Sequence, residues 1–310
     1  MSAQPVILTS SNRQQTRAWI SRLFTGGTFL CTLAGVVALS VLLYQVLDEG
    51  LARLSTDFLT TLPSRFADRA GFEPAIWGSV WVMGITALLT IPIGMGAAIY
   101  LELYAAKNWL TRFIQINIAN LAGVPSIIYG ILGLALFVRA MELQRSVLAG
   151  ALTMALLVLP IVIIASQEAL RAVPSSLRDG ALALGATRWQ TIRGQILPVA
   201  MPGMLTGVIL ALSRAIGETA PLIMIGAFQY VPFSPGGVAD LPDCASWSDG
   251  CPLKSRFTVM PVQIYSWAAR PQEAFQQTAA AGIIVLLAVL LSLNSVAIVL
   301  RNRYQRKVKW

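Results

Sequence analysis

Apolar residues in this chain fall in long unbroken blocks, not in the short alternating or one-sided runs of a soluble domain. Six blocks stand out, at 23–47, 75–100, 113–138, 147–167, 199–228 and 277–300. Each holds about 20 or more residues, enough to cross a hydrocarbon core of ~30 Å as a helix. The pattern predicts an all-α integral membrane protein with six transmembrane helices. Arg13, Arg17 and Arg22 precede the first block, as in a signal sequence. Its apolar run is too long for one, and Leu47–Gly50 is not a small-residue cleavage site, so it is read as an anchor.

Composition agrees: 56% of the 310 residues are hydrophobic and 12% charged, against about 25% charged in a soluble domain. Charge then orients the spans. With six crossings, both termini share a side with 101–112 and 168–198. That side carries 14 Lys and Arg against 3 acids, and the opposite side 8 against 10. The positive-inside rule places both termini in the cytoplasm. The net charge of +9 is therefore a signature of topology. A nucleic-acid partner is a poor use of it, because no basic run is interleaved with stacking aromatics. The expected organisation is a cytoplasmic tail over 1–22, a membrane domain over 23–300 and a basic cytoplasmic tail over 301–310. A cytoplasmic segment spans 168–198 and an extracytoplasmic loop 229–276.

Several chemistries lack their residues. The chain has no histidine, which removes His-based nucleophilic catalysis and the usual zinc sites. It has no GxxxxGK[ST] phosphate loop and no two carboxylates in one span. We therefore expect a non-catalytic membrane subunit that binds no cofactor or metal itself. Cys31 sits in the first block as a small apolar residue, while Cys244 and Cys251 flank ASWSDG in the outer loop. Those two are either a disulfide in an oxidising compartment or two unpaired thiols.

The segment 168–198, EALRAVPSSLRDGALALGATRWQTIRGQILP, is too polar to span. Pro174 interrupts a helix; Ser176 with Asp179, and Thr187 with Gln190, have capping-box spacing. Leu177, Ala181 and Leu184 form one apolar stripe, Trp189, Ile192 and Ile196 a second, and Gly185 separates them as a helix terminator. Two short amphipathic helices joined by a glycine elbow are expected. They either lie on the lipid surface or dock a cytoplasmic partner.

RAIGETAPL (214–222) places Arg214 and Glu218 inside the fifth block. A local i,i+4 pair contributes only ~0.2–0.5 kcal/mol, and Arg before Glu is the weaker order. A central arginine costs at least ~2.5 kcal/mol on insertion scales. The pair should therefore face the bundle interior or an aqueous path, not lipid. Either it is structural, or Arg214, Glu218 and the adjoining Thr219 line a translocation pathway. A guanidinium can grip a tetrahedral oxyanion through two donors at once, and a carboxylate beside it keeps binding weak enough for release.

Asp179-Gly180-Ala181, Gly185 and the closing Leu197-Pro198 resemble the cytoplasmic loop of ABC importer permeases that inserts into a cleft on the ATPase. Asp179, Gly180 and Gln195 depart mildly from the family's usual Glu, Ala and Ile. PIGMGAAIYLELYA (92–105), NLAGVPSIIYGILGLALF (120–137), SRAIGETAPL (213–222) and PVQIYSW (261–267) extend the likeness over roughly 75–304. Together they resemble the PstA family of phosphate permeases; Leu103 stands where that family commonly has a glutamate. The resemblance implies a MetI-like, type I importer fold in a bacterial inner membrane, translocating inorganic phosphate. It implies a PstC-like second permease, a PstB-like ATPase dimer that uses ATP, and a PstS-like binding protein. Asp179, Gly180, Ala181, Gly185 and Trp189 would then face the ATPase. A permease for sulfate, molybdate or another oxyanion is the nearest alternative. A self-sufficient channel or ion-coupled carrier would have no need of a docking segment.

Pro125 in the third block predicts a kink, either architectural or a hinge. Asn117 and Asn120 beside it are expected to hydrogen-bond neighbouring helices. The proline-rich loop 229–276 reads as irregular, and the basic tail as a topology anchor beside acidic lipids.

Overall fold

The computed structural model describes residues 12–227, 231–233 and 251–307, and every regular element among them is helical. The first is α1 (Asn12–Leu51), followed by a short α2 (Thr56–Thr60) whose Ser55 cap accepts from the Phe58 N–H. α3 (Glu73–Ile99) opens with Pro74, where a missing N–H costs nothing, and runs on as a π-helical turn over Tyr100–Tyr104. α4 (Trp109–Ala122) starts at Asn108, whose side chain accepts from the Thr111 N–H at 2.9 Å. α5 (Ser126–Gly133) continues as a π-helical stretch over Leu134–Ala140. α6 (Val147–Arg171) is capped by Ser146. After it come α7 (Ser175–Ala183), α8 (Arg188–Thr191), a π-helical turn over Ile192–Ile196 and α9 (Leu197–Ile216). α10 (Ala220–Ile225), α11 (Met260–Ala268) and α12 (Glu273–Lys307) complete the described chain.

Among the described residues five helical stretches are long and apolar enough to cross a membrane: Trp19–Leu51, Glu73–Tyr104, Val147–Arg171, Arg188–Ile216 and Glu273–Arg303. The third block differs from the straight crossing its length suggested. It is two arms, Trp109–Ala122 and Ser126–Ala140, bent by 102°. Pro125 cannot donate to the helix ladder and holds the chain at φ −55°, ψ 135°, so the bend falls there. The Tyr129 hydroxyl braces it by donating to the Leu121 carbonyl at 2.8 Å. Asn117 donates to Phe113 O within its own helix and not to a neighbour, because the helix offers an acceptor one turn back at 2.8 Å.

Two further expectations are corrected. The fifth block is not one helix over 199–228: it stops at Ile216 and resumes at Ala220. The loop 229–276 is not irregular throughout, since α11 lies inside it and is largely buried, with Trp267 inaccessible. Pro261 in the first turn of α11 starts a helix there and does not break one.

α6 is the hub, packed between α3, α5 and α9. Its contact with α9 is made by small residues: a Cβ built at Gly203 would lie 2.9 Å from the Ala169 Cβ, and one at Gly207 would collide with Ala165. In lipid no hydrophobic force drives helices together, so such close approach supplies the van der Waals contact. Near one end of the bundle, Phe58, Phe72 and Trp267 form an aromatic cluster with centroids 5.3–5.9 Å apart. At the other end Arg171 pairs with Glu102 and Glu168, each at 3.0 Å, and fastens the end of α6 to the turn after α3. α1 packs chiefly along α12 and leaves its other faces exposed.

Candidate functional site

Arg214 is in the last turn of α9 and Glu218 is in the break that follows. Pro221 explains the break. In a continuous helix its nitrogen would have to donate to the Gly217 carbonyl, and proline has no proton to give. The helix ends one turn earlier instead, with Gly217 N–H donating to Arg214 O at 3.2 Å and Glu218 N–H to Ala215 O at 3.1 Å. The Thr219 hydroxyl turns toward the stranded Gly217 carbonyl at 3.5 Å.

The break separates two charges that a continuous helix would stack. Arg214 Nε lies 3.6 Å from Glu218 Oε1, beyond a strong charge-assisted hydrogen bond. Glu218 is 18% exposed and Arg214 68% exposed. The guanidinium therefore does not face this chain's own interior, one of the two surroundings, with an aqueous path, that the insertion cost allowed for the pair. Its two terminal nitrogens make no hydrogen bond among the described residues, so they face outward with donors to offer.

The hydroxyl of Ser213, the preceding residue, has Ile209 O and Asn294 Oδ1 of α12 within hydrogen-bond reach, sharing its one proton between them. Both residues line a cavity of about 340 Å³ bounded by α3, α9 and α12, apolar apart from these groups and Ser79. The sequence reading missed Asn294. An amide in the middle of the last apolar block was the available signal.

The proposed ATPase-facing residues gather at the opposite end of the Arg188–Ile216 helix, about 40 Å away at 1.5 Å per residue. α7 closes in a Schellman motif: Ala186 N–H donates to Ala181 O and Gly185 N–H to Leu182 O. Gly185 has φ +83°, a conformation that carries no Cβ penalty in glycine. Thr187 and Gln190 form the expected reciprocal capping box. Ser176 and Asp179 do not. Pro174 is the cap and the helix begins at Ser175, which places Asp179 in the second turn.

Nor is there a separate second helix. α8 runs through the π-helical turn straight into α9. Ile192 and Ile196 are buried against Leu103, Leu170 and Ala200, while Trp189 is 56% exposed and so leaves the stripe expected to contain it. Leu184 likewise leaves its stripe, at 91% exposed. Asp179, Gly180 and Gly185 are exposed and Ala181 is half-buried. The elbow is thus a capped knob that presents leucine and tryptophan to its surroundings. Of the outer-loop cysteines, Cys251 is buried and disulfide-bonded, and Cys244 lies outside the described residues.

Residues 90–310 match the family described as binding-protein-dependent transport system inner membrane component. The chain is 35% identical over 202 residues to a probable ABC transporter permease protein, YqgI, of Bacillus subtilis, covering 65% of this chain and 69% of that one. It is 31% identical over 275 residues to the phosphate transport system permease protein PstA of Haemophilus influenzae, covering 88% and 91%. Over 293 residues it is 31% identical to PstA of Yersinia pestis, covering 92% of each. Among solved structures it resembles a bacterial ABC transporter involved in alginate import (TM-score 0.58, 15% identity, 94% and 98% covered). It also resembles the inward-facing MetNI methionine transporter (TM-score 0.53, 14% identity, 74% and 94% covered). At such identities the structures speak to the fold alone.

Proposed function

The chain belongs to the binding-protein-dependent transport system inner membrane components, and from that premise we propose that it is the permease subunit of an ATP-driven importer of inorganic phosphate. The observation that carries this reading is the likeness to PstA permeases over about nine-tenths of the chain. The outward-facing Arg214, tempered by Glu218 at a helix break, supplies fitting chemistry. Phosphate offers several anionic oxygens to a fork of N–H donors, and a loose 3.6 Å pair leaves those donors free to exchange partners.

In this reading Arg214, Glu218 and Thr219 line the pathway where a PstC-like permease completes it. That arrangement answers the cost of an arginine at membrane depth, because the guanidinium then faces water and anion and not lipid. A PstS-like protein delivers phosphate on the outer side. A PstB-like ATPase dimer receives the elbow of Asp179, Gly180, Ala181, Gly185 and Trp189 on the cytoplasmic side, where both termini lie. The chain contributes no catalytic group and no cofactor of its own; ATP is consumed by the partner. The location is the bacterial inner membrane.

The test is phosphate uptake by the reconstituted four-component complex, with arsenate and sulfate as competitors. Phosphate-selective uptake that is lost in Arg214→Gln and Glu218→Gln, with the complex still assembled, is expected. Sulfate outcompeting phosphate would move the assignment to another oxyanion. Normal transport by both variants would remove the pathway role.

A further inference from the structure

The turn after α3, the start of α4 and the end of α6 enclose an open cavity of about 380 Å³, far along α9 from Arg214. Its polar lining includes Asn108, the cap of α4, with Glu102, Lys107, Thr111, Arg112, Gln115 and Arg171. Arg171 is already committed to Glu102 and Glu168. Lys107 and Arg112 are not: among the described residues neither has a carboxylate within ion-pair distance, and both are exposed. Two uncommitted cations therefore share a cavity with a hydroxyl and an amide, both half-buried.

The neighbouring face of α4 is aromatic. Trp109 is 77% exposed and Phe113, one turn on, is exposed beside it with ring centroids 6.3 Å apart. Tyr104, at the end of the preceding turn, is also exposed. Exposed aromatic rings at the end of a membrane-crossing segment lie at headgroup depth. The two free cations open onto the same level, where anionic lipids present their phosphates.

We propose that this cavity binds the headgroup of an anionic phospholipid. Lys107 and Arg112 neutralise the phosphate, Thr111 and Gln115 donate hydrogen bonds to it, and Trp109 and Phe113 lie against the glycerol and upper acyl chain. The aromatic rim has no use for a free ion. The inference rests on the membrane reading and not on phosphate import, so the two fail separately.

Native mass spectrometry of the full chain, released from detergent with defined lipids, tests it. The unmodified chain should retain phosphatidylglycerol in preference to phosphatidylcholine, and millimolar inorganic phosphate should leave that retention unchanged. Lys107→Gln with Arg112→Gln should weaken retention roughly 30-fold. A charge-matched control on the polar segment 168–198, Arg178→Gln with Arg193→Gln, both exposed and outside the cavity, should stay within about twofold. Equal retention of the two lipids by the unmodified chain would overturn the proposal, and needs no variant to fold. Displacement by inorganic phosphate, or equal weakening in the control, would overturn it as well.

Discussion

Among the described residues two membrane helices are broken, and they are broken differently. Between α4 and α5 the chain turns through 102° at Gly123-Val124-Pro125 with uncharged groups alone. Gly123 and Val124 donate to Asn120 and Leu121, and Tyr129 closes the remaining gap. Between α9 and α10 the backbone repairs are similar in kind, yet an arginine and a glutamate flank them. The arms beyond the two breaks press together: a Cβ at Gly130 of α5 would lie 2.7 Å from Pro221 Cα and from Met224 Cβ of α10. The first break shows that a helix can be interrupted in this fold without charge. The charges at the second are therefore not there to repair the backbone.

The largest expected effect separates the breaks by chemistry. Losing an ionic hydrogen bond to substrate removes about 1.5–3 kcal/mol, so Arg214→Gln should cut phosphate uptake by roughly 10- to 100-fold. Its abundance and thermal unfolding in detergent should stay near those of the parent, since the side chain is 68% exposed. A large fall in unfolding temperature would instead make Arg214 a structural residue.

Next comes the contact that joins the breaks. Gly130→Leu drives a side chain into α10 backbone, and overpacking costs about 1–3 kcal/mol. Lower thermal stability together with lower uptake is expected; uptake lost without any stability change would mean that the arms move independently. Tyr129→Phe tests the uncharged break alone. It should cost about 1 kcal/mol in unfolding, with uptake per folded complex unchanged. The smallest effect belongs to Thr219→Val, whose hydroxyl reaches Gly217 only at 3.5 Å. About 0.5 kcal/mol or less is expected, and a larger loss of uptake than of stability would place the hydroxyl in the pathway.

The sequence showed the spans well, because a run of about 20 apolar residues has few alternatives. It was less informative wherever tertiary context chose between equal local options. Thr187 and Gln190 do form a capping box. Ser176 and Asp179 have the same spacing and form none, because Pro174, one residue from Ser175, already starts the helix. Pro125 announced a bend but not its size. Pro221 could have announced the break after Ile216, since its missing proton strands the Gly217 carbonyl. Charge drew attention to Arg214 and Glu218, while the neutral link from Ser213 to Asn294 escaped it. No local pattern could reveal that Arg214 projects outward, because that depends on which face of α9 the hub α6 occupies.

The small-residue seam between α6 and α9 has a mechanical consequence. Gly203 and Gly207 face Ala169 and Ala165 so closely that a side chain at either glycine would push the two helices apart. The seam lies between the two ends of the 29-residue helix Arg188–Ile216, so any tilt of that helix would have to be shared with α6. Its near end carries the Gly185 elbow and the Thr187 cap. A tilt of a few degrees applied there sweeps the far end, about 40 Å away, through an arc of roughly 2–3 Å. If Arg214 lines the pathway as proposed, that stroke would be about the difference between a guanidinium that touches an anion and one that has let it go.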